Sequence, residues 1–192
     1  MVMAELAMSI LGKSWRLGSC RMSLNTAYIG MGSNLPSFAG GPRETLTAAT
    51  ERLQGVGLLA ARSSFYESEP VGYAQQPHFV NAAVAIRTDL QPAELLHRLL
   101  AIEREFGRER GQMPPKGPRT LDLDLLLMNG CIIESPELTL PHPSIAERRF
   151  VLAPLAEIAP TLLHPSLGKT IATLLAELRD EGENRIAAVN VL

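Results

Sequence analysis

The sequence predicts an α+β domain with a ferredoxin-like core, a mostly antiparallel sheet flanked by helices. Between Thr26 and Leu127, apolar spacing alternates between a strand period and a helix period in the order β-α-β-β-α-β. No internal repeat or low-complexity linker interrupts the 192 residues, a length that suits one domain with a proper core. With 46% hydrophobic and 20% charged residues, the composition is that of a folded chain rather than a disordered one.

Local signals justify each element in turn. TAYIGMG, from Thr26, reads as a strand ending in the turn Gly32-Ser33-Asn34. Pro42 opens a helix, since its fixed φ suits the first helical position. Leu46, Ala49, Leu53 and Val56 then recur at helical spacing, with Gly55 and Gly57 near the end. Residues 58–66 and 79–88 read as strands, and the ESEPVGYAQQPH stretch between them as an exposed loop. Pro92 starts the clearest helix: Leu95, Leu96, Leu99, Ile102 and Phe106 form one apolar face, and Gly107 is its stop. GRERGQMPPKGPRT is a second irregular loop, and it feeds the strand LDLDLLL. Ser144 and Glu147 have capping-box spacing, and residues 151–158 and 171–178 read as helices.

Composition narrows the function. A net charge of -2 gives no global attraction to nucleic acid or acidic membranes, so any anion site must be local. Cys20 and Cys131 have no metal-ligand spacing, suggest no disulfide framework, and fit a reducing cytoplasm. No apolar run approaches the length of a membrane span. Leu17-Gly18-Ser19-Cys20 has the outline of a lipoprotein box, but Lys13, Trp15 and Arg16 break the apolar run that such a signal requires. Residues 1–24 are therefore expected to be a disordered extension, with Met22 as an alternative start, and residues 25–192 a single domain.

The chemistry concentrates in GPRTLDLDLLL, residues 117–127. Strand alternation puts Asp122 and Asp124 on one face while Leu121, Leu123 and Leu125 face the core. Two neighbouring carboxylates repel, and one is expected to hold a proton unless cations intervene. Hard divalent cations such as Mg2+ meet that need; so would a salt-bridge cluster with Arg108, Arg110 or Arg119. The preceding loop, residues 107–120, has Arg108, Arg110, Lys116 and Arg119 against Glu109, a local excess of positive charge. Metal-binding carboxylates beside an arginine-rich loop suit a polyphosphate substrate, although solvated basic loops are common. GMGSN at 30–34 is neither a Walker A loop nor a dinucleotide motif, so it reads as a strand-ending turn.

Several segments together resemble the 6-hydroxymethyl-7,8-dihydropterin pyrophosphokinase family. These are AYIGMGSNL, SSFYESEPVG, QPHFVNAAV, IEREFGRER, GPRTLDLDLLL and LTLPHPSIAERRFVLAPLAEIAP, in that order over roughly residues 26–165. The resemblance implies an enzyme of folate synthesis that moves diphosphate from ATP to a pterin alcohol. It makes Asp122 and Asp124 the ligands of two Mg2+ ions, with Arg108 and Arg119 engaging the phosphates. It places Glu103, Arg110, Lys116, Thr139, His142 and Arg148 on the ATP side. The pterin edge would be read by Asn81, its ring sandwiched by Phe79 and Phe150, and its rim contacted by the backbone at Ser68 and Val71. Aromatic faces plus an amide suit a flat, edge-polar ring. The chain departs from some members at Pro115-Lys116, where they carry Arg-Trp, and its loop is longer by one; Glu137 replaces Arg and Pro143 replaces Tyr.

From that resemblance follow two Mg2+ ions with ATP as co-substrate, a monomer, no nucleic-acid or membrane partner, and a cytoplasmic location. In-line attack by the pterin hydroxyl needs no strong side-chain base, because positioning and charge supply most of the acceleration. The two irregular loops are expected to close over ATP. A two-metal phosphohydrolase is the first rival, but no third acidic residue stands near the pair in sequence. A non-catalytic ferredoxin-like binding module is the second, and it gives no reason for aspartates and arginines to gather.

Overall fold

A computed structural model of the chain describes residues 24–70, 75–108 and 117–178, together with the backbone of 186–189. In chain order come β1 (Asn25–Ser33), α1 (Pro42–Leu53), β2 (Leu58–Arg62), β3 (Phe65–Ser68), β4 (Phe79–Thr88), α2 (Pro92–Glu105) and β5 (Asp122–Met128). Next are β6 (Ile133–Glu134), β7 (Thr139–Leu140), a 3₁₀ turn at Ile145–Glu147 and α3 (Arg149–Ile158). The described chain ends with β8 (Leu163–His164), β9 (Lys169–Thr170), α4 (Ile171–Glu177) and β10 (Ile186–Val189).

The main sheet runs β10-β3-β4-β1-β5, with β2 also on β4, and every pairing is antiparallel. The expected ferredoxin-like α+β architecture is present. Each helical crossover passes over one intervening strand, β4 on the way from β1 to β2 and β1 on the way from β4 to β5, which leaves β1 between β4 and β5. Pro42 and Pro92 sit at the first helical positions of α1 and α2, as expected. α1 and α2 cover one face of the sheet. Leu46, Ala49 and Leu53 of α1, with Leu95, Leu99, Ile102 and Phe106, pack on Ile29, Met31, Val84, Ile86, Leu123 and Leu125. Each fully buried leucine contributes about 2 kcal/mol.

Among the described residues, helices cover half of the opposite face. Leu152 and Leu155 of α3 and Ile171 and Leu174 of α4 pack with Ala83, Leu126 and Leu127. A register shift makes this possible: Tyr28 pairs with Leu127 but Ile29 with Leu125, so Leu126 is an extra residue in β5. Such a bulge switches the strand's inward face. Upstream of it, the α3 side of β5 carries Asp122 and Asp124; downstream it carries leucine.

Three local expectations change. The strand expected over residues 58–66 is two strands, because Ser63 breaks the ladder: its hydroxyl accepts from the Ala83 amide at 2.9 Å. Ser64 and Tyr66 then donate to Glu157 of α3, at 2.9–3.0 Å. Burial, and then that bond, push the Tyr66 phenol up to about 12. The capping box at Ser144 and Glu147 does not form: the Ser144 side chain makes no cap bond, and a single 3₁₀ turn exposes too few amides to need one. The expected turn at Gly32-Ser33 is strand, which continues through Ser33. Residues 1–23, most of the expected extension, lie outside the described residues.

Candidate active site

The uncovered half of the sheet is the floor of a cleft of about 390 Å³. Strand register builds that floor. Gly32 pairs with Asn81 on one side and Asp122 on the other, and Gly30 pairs with Asp124. Directly opposed residues of an antiparallel pair project to one face. Asn81, Gly32 and Asp122 therefore form a row across β4, β1 and β5, with no side chain in the middle. A Cβ at Gly32 would lie 3.6 Å from Asn81 Oδ1 and 3.8 Å from Asp122 Cβ, so even alanine would begin to fill the space between them.

The arginines come from both ends of the loop before β5. Gly107 ends α2 at φ +81°, a left-handed turn that favours glycine, and sends Arg108 back toward the sheet. Arg108 Nη1 donates to Leu121 O at 2.9 Å, to Glu103 Oε1 at 3.1 Å, and to Asp122 Oδ1. Arg119 Nη1 pairs with Asp122 Oδ2 at 3.1 Å. Burial works against the Arg108 charge, but Asp122, Glu103 and Asp124 outweigh it and hold its pKa above the usual value.

Asp124 stands differently. Burial first, and then Asp122, push its carboxyl above the ordinary range; His142, Arg108 and Arg119 offset this only in part. The two alternatives left open by the sequence thus divide between the residues. Asp122 is salt-bridged to Arg108 and Arg119, whereas Asp124 makes no salt bridge among the described residues and its nearby cations only partly offset its burial. Mg2+ fits such a pair: hard carboxylate oxygens on one face, one of them undercompensated, with remaining positions commonly filled by substrate oxygens and water.

Glu103, expected on the ATP side, is 1% exposed and is not among the residues lining the cleft. Its Oε1 accepts from Arg108 Nη1 and, at 2.9 Å, from the Leu123 amide between the two aspartates. A third carboxylate therefore does stand beside the pair, contrary to the sequence reading. It supports them from behind.

The cleft's other half is aromatic and amide. Asn81 Nδ2 donates to Ser68 Oγ at 2.9 Å, which orients the amide at the end of its row. Arg119 lies 5.0 Å over the Phe79 ring and Arg148 5.8 Å over Phe150, so a cation covers each ring. The Ser144 amide donates to His142 Nδ1 at 3.2 Å, so in the neutral ring Nε2 carries the hydrogen.

Ser68, Phe79, Asn81, Arg108, Arg119, Asp122, Asp124, His142, Arg148 and Phe150 all line this cleft, as the sequence expects. Thr139 does not; it is exposed on β7, paired with Glu134. Val71, Arg110 and Lys116 lie outside the described residues. The sequence reading missed Gly30, Met31, Gly32, Glu69, Ala82, Ser144 and Val151 as lining, while Pro143, which it noted as a departure from some members, also lies there. The two glycines had a signal, a spacing of two that matches the spacing of the aspartates.

Paired carboxylates, arginines and aromatic rings gathered on one half of a ferredoxin-like sheet are the parts that a phosphoryl-type transferase uses. The chain matches the model of the 7,8-dihydro-6-hydroxymethylpterin-pyrophosphokinase family over residues 28–160 and belongs to that family. It is 43% identical over 166 residues to the Pseudomonas aeruginosa 2-amino-4-hydroxy-6-hydroxymethyldihydropteridine pyrophosphokinase, covering 85% of this chain and 98% of that one. The Bacillus subtilis protein of the same name is 48% identical over 137 residues, 70% and 78% of the two chains. In fold, it is similar to Plasmodium falciparum HPPK-DHPS solved with STZ-DHP: TM-score 0.63, 15% identity, covering 80% of this chain and 43% of that longer one.

Proposed function

We propose that this protein transfers diphosphate from ATP to the hydroxyl of 6-hydroxymethyl-7,8-dihydropterin, releasing AMP and the pterin diphosphate, a step of folate synthesis. The observation that carries this reading is the row Asn81-Gly32-Asp122, which sets an amide for a flat polar ring and a carboxylate for a metal-bound phosphate on one floor. It rests equally on membership of a family whose relatives carry that activity in their names.

In this reading the pterin lies between Phe79 and Phe150, with Asn81 and the backbone at Ser68 and Val71 reading its edge. Arg119 leaves the Phe79 ring and Asp122, and Arg148 leaves the Phe150 ring, each exchanging an internal partner for a phosphate oxygen. Because Arg119 is already charge-paired with Asp122 and Arg148 already lies over a ring, neither cation is taken from open water. Arg108 stays tied to Glu103 and presents its remaining donors to the phosphates. Arg110, Lys116 and His142 complete the ATP side. Asp122 and Asp124 would hold two Mg2+ ions, which when bound offset phosphate charge. The pterin hydroxyl attacks the β-phosphorus in line as the bond to the α–β bridging oxygen breaks; AMP leaves with that electron pair, and the hydroxyl proton passes to solvent. In this reading the enzyme acts as a monomer in the cytoplasm, a compartment that suits two cysteines with neither metal-ligand nor disulfide spacing.

Incubation with ATP, Mg2+ and the pterin alcohol tests the reading. AMP formed only when the pterin is present supports it. Inorganic phosphate instead would mean a phosphohydrolase, and neither product a binding module.

A further inference from the structure

We propose that Asn34 is a positioning residue that locks the segment entering β4 to the segment entering β5, holding the pterin half of the cleft in register with the phosphate half. The inference rests on the function proposed above. Asn34 follows β1, is 2% exposed, and is not among the cleft's lining residues. Its amide and that of Leu35 both donate to Arg119 O at 3.1 Å. Its side-chain Oδ1 accepts from the Arg119 amide at 2.8 Å, so the peptide groups on both sides of Arg119 are held by one short stretch. Its Nδ2 spends both hydrogens on the other segment, donating to Gln76 Oε1 and Pro77 O at 3.0 Å each.

That pattern needs one acceptor and two donors on a short side chain, which only an asparagine amide supplies at this length. Pro77 lies two residues before Phe79, and Arg119 three before Asp122. A second link joins the same two segments, because the Arg119 side chain stacks on Phe79 and pairs with Asp122. The two links differ in fate. Substrates take the Arg119 side chain away from its internal partners, whereas the Asn34 bonds are buried and remain. Beyond the ends of the β1 ladders, Asn34 then adds the lock that holds Phe79 and Asp122 at a fixed separation while hydroxyl and phosphorus align. A misplacement of about 1 Å at that stage costs on the order of 100-fold in rate.

Asn34→Asp tests this, because it keeps the acceptor for Arg119 N and replaces both donors with lone pairs facing Gln76 Oε1 and Pro77 O. Each ligand's affinity is measured alone, using a non-hydrolysable ATP analogue with Mg2+ and, separately, the pterin alcohol. Turnover is then measured with both substrates saturating. The expected result is a fall in kcat on the order of 100-fold, with each separate affinity changed less than about threefold. If Asn34→Asp does not fold, Gln76→Ala removes one of the two Nδ2 contacts and should give the same split with a smaller loss, on the order of tenfold. A kcat within about threefold of the parent, or a loss seen equally in both separate affinities, would overturn the inference. No AMP from the unaltered chain would instead overturn the functional reading beneath it.

Discussion

Glu103→Ala should destabilise the protein substantially and lower turnover without a selective effect on ATP binding. The carboxylate is 1% exposed and, among the described residues, accepts from Arg108 Nη1 at 3.1 Å and Leu123 N at 2.9 Å. Removing it strands the Leu123 amide in a residue that is itself 1% exposed, at about 1–3 kcal/mol. Breaking a buried ion pair outright costs about 3–5 kcal/mol. Here the loss is well below that, because Arg108 keeps Leu121 O and Asp122. A total near 3 kcal/mol follows, or a Tm lower by about 6–12 °C for a chain of this size. Glu103→Gln keeps an oxygen for Leu123 N and loses only charge, so its drop should be about 1 kcal/mol. Thermal unfolding and steady-state kinetics at varied ATP measure both effects. An unchanged Tm with a raised KM for ATP alone would refute the reasoning, since it would mean that Glu103 touches the nucleotide directly.

Asp124→Asn should stabilise the ligand-free protein at pH 7. The folded carboxyl is raised above its unfolded value by burial and Asp122, so the parent loses stability as pH rises from the unfolded value to that raised one, and the penalty is complete above it. The advantage of Asn should shrink below about pH 4, where both states are protonated; urea unfolding at the two pH values would show it, and a parent more stable at pH 7 would not fit. Arg119→Ala should cut turnover strongly, and Arg119→Lys should recover only part of it, because an ammonium cannot reproduce a planar bidentate contact. Full recovery by lysine would remove the phosphate role. Phe150→Ala should weaken pterin binding more than ATP-analogue binding in calorimetric titrations, and equal losses would indicate general damage to α3.

The elements that carry their own signals were legible from the sequence. Pro92, the apolar stripe to Phe106 and Gly107 specify α2 locally, and the alternation around Asp122 and Asp124 specifies the face they share. What escaped depends on partners far along the chain. Gly30 and Gly32 read as parts of a turn until register sets them opposite Asp124 and Asp122. The bulge at Leu126 has no local mark, because a run of leucines is compatible with either face. Ser63 breaks a strand only because its hydroxyl finds the Ala83 amide. The resemblance put Glu103 on the ATP side, yet the edge amide of Leu123 draws it inward. Asn34, in a strand-ending turn, showed nothing of the two segments it joins.

The central claim is that Asp122 and Asp124 serve the diphosphate transfer rather than the fold. Turnover of Asp122→Asn and Asp124→Asn, measured as pterin-dependent AMP release across a range of Mg2+ concentrations, tests it most directly. Circular dichroism would confirm that each variant is folded. The account predicts losses of about 100- to 1000-fold or more for both, in proteins that retain the parental spectrum. Near-parental turnover by either folded variant at limiting Mg2+ would contradict it.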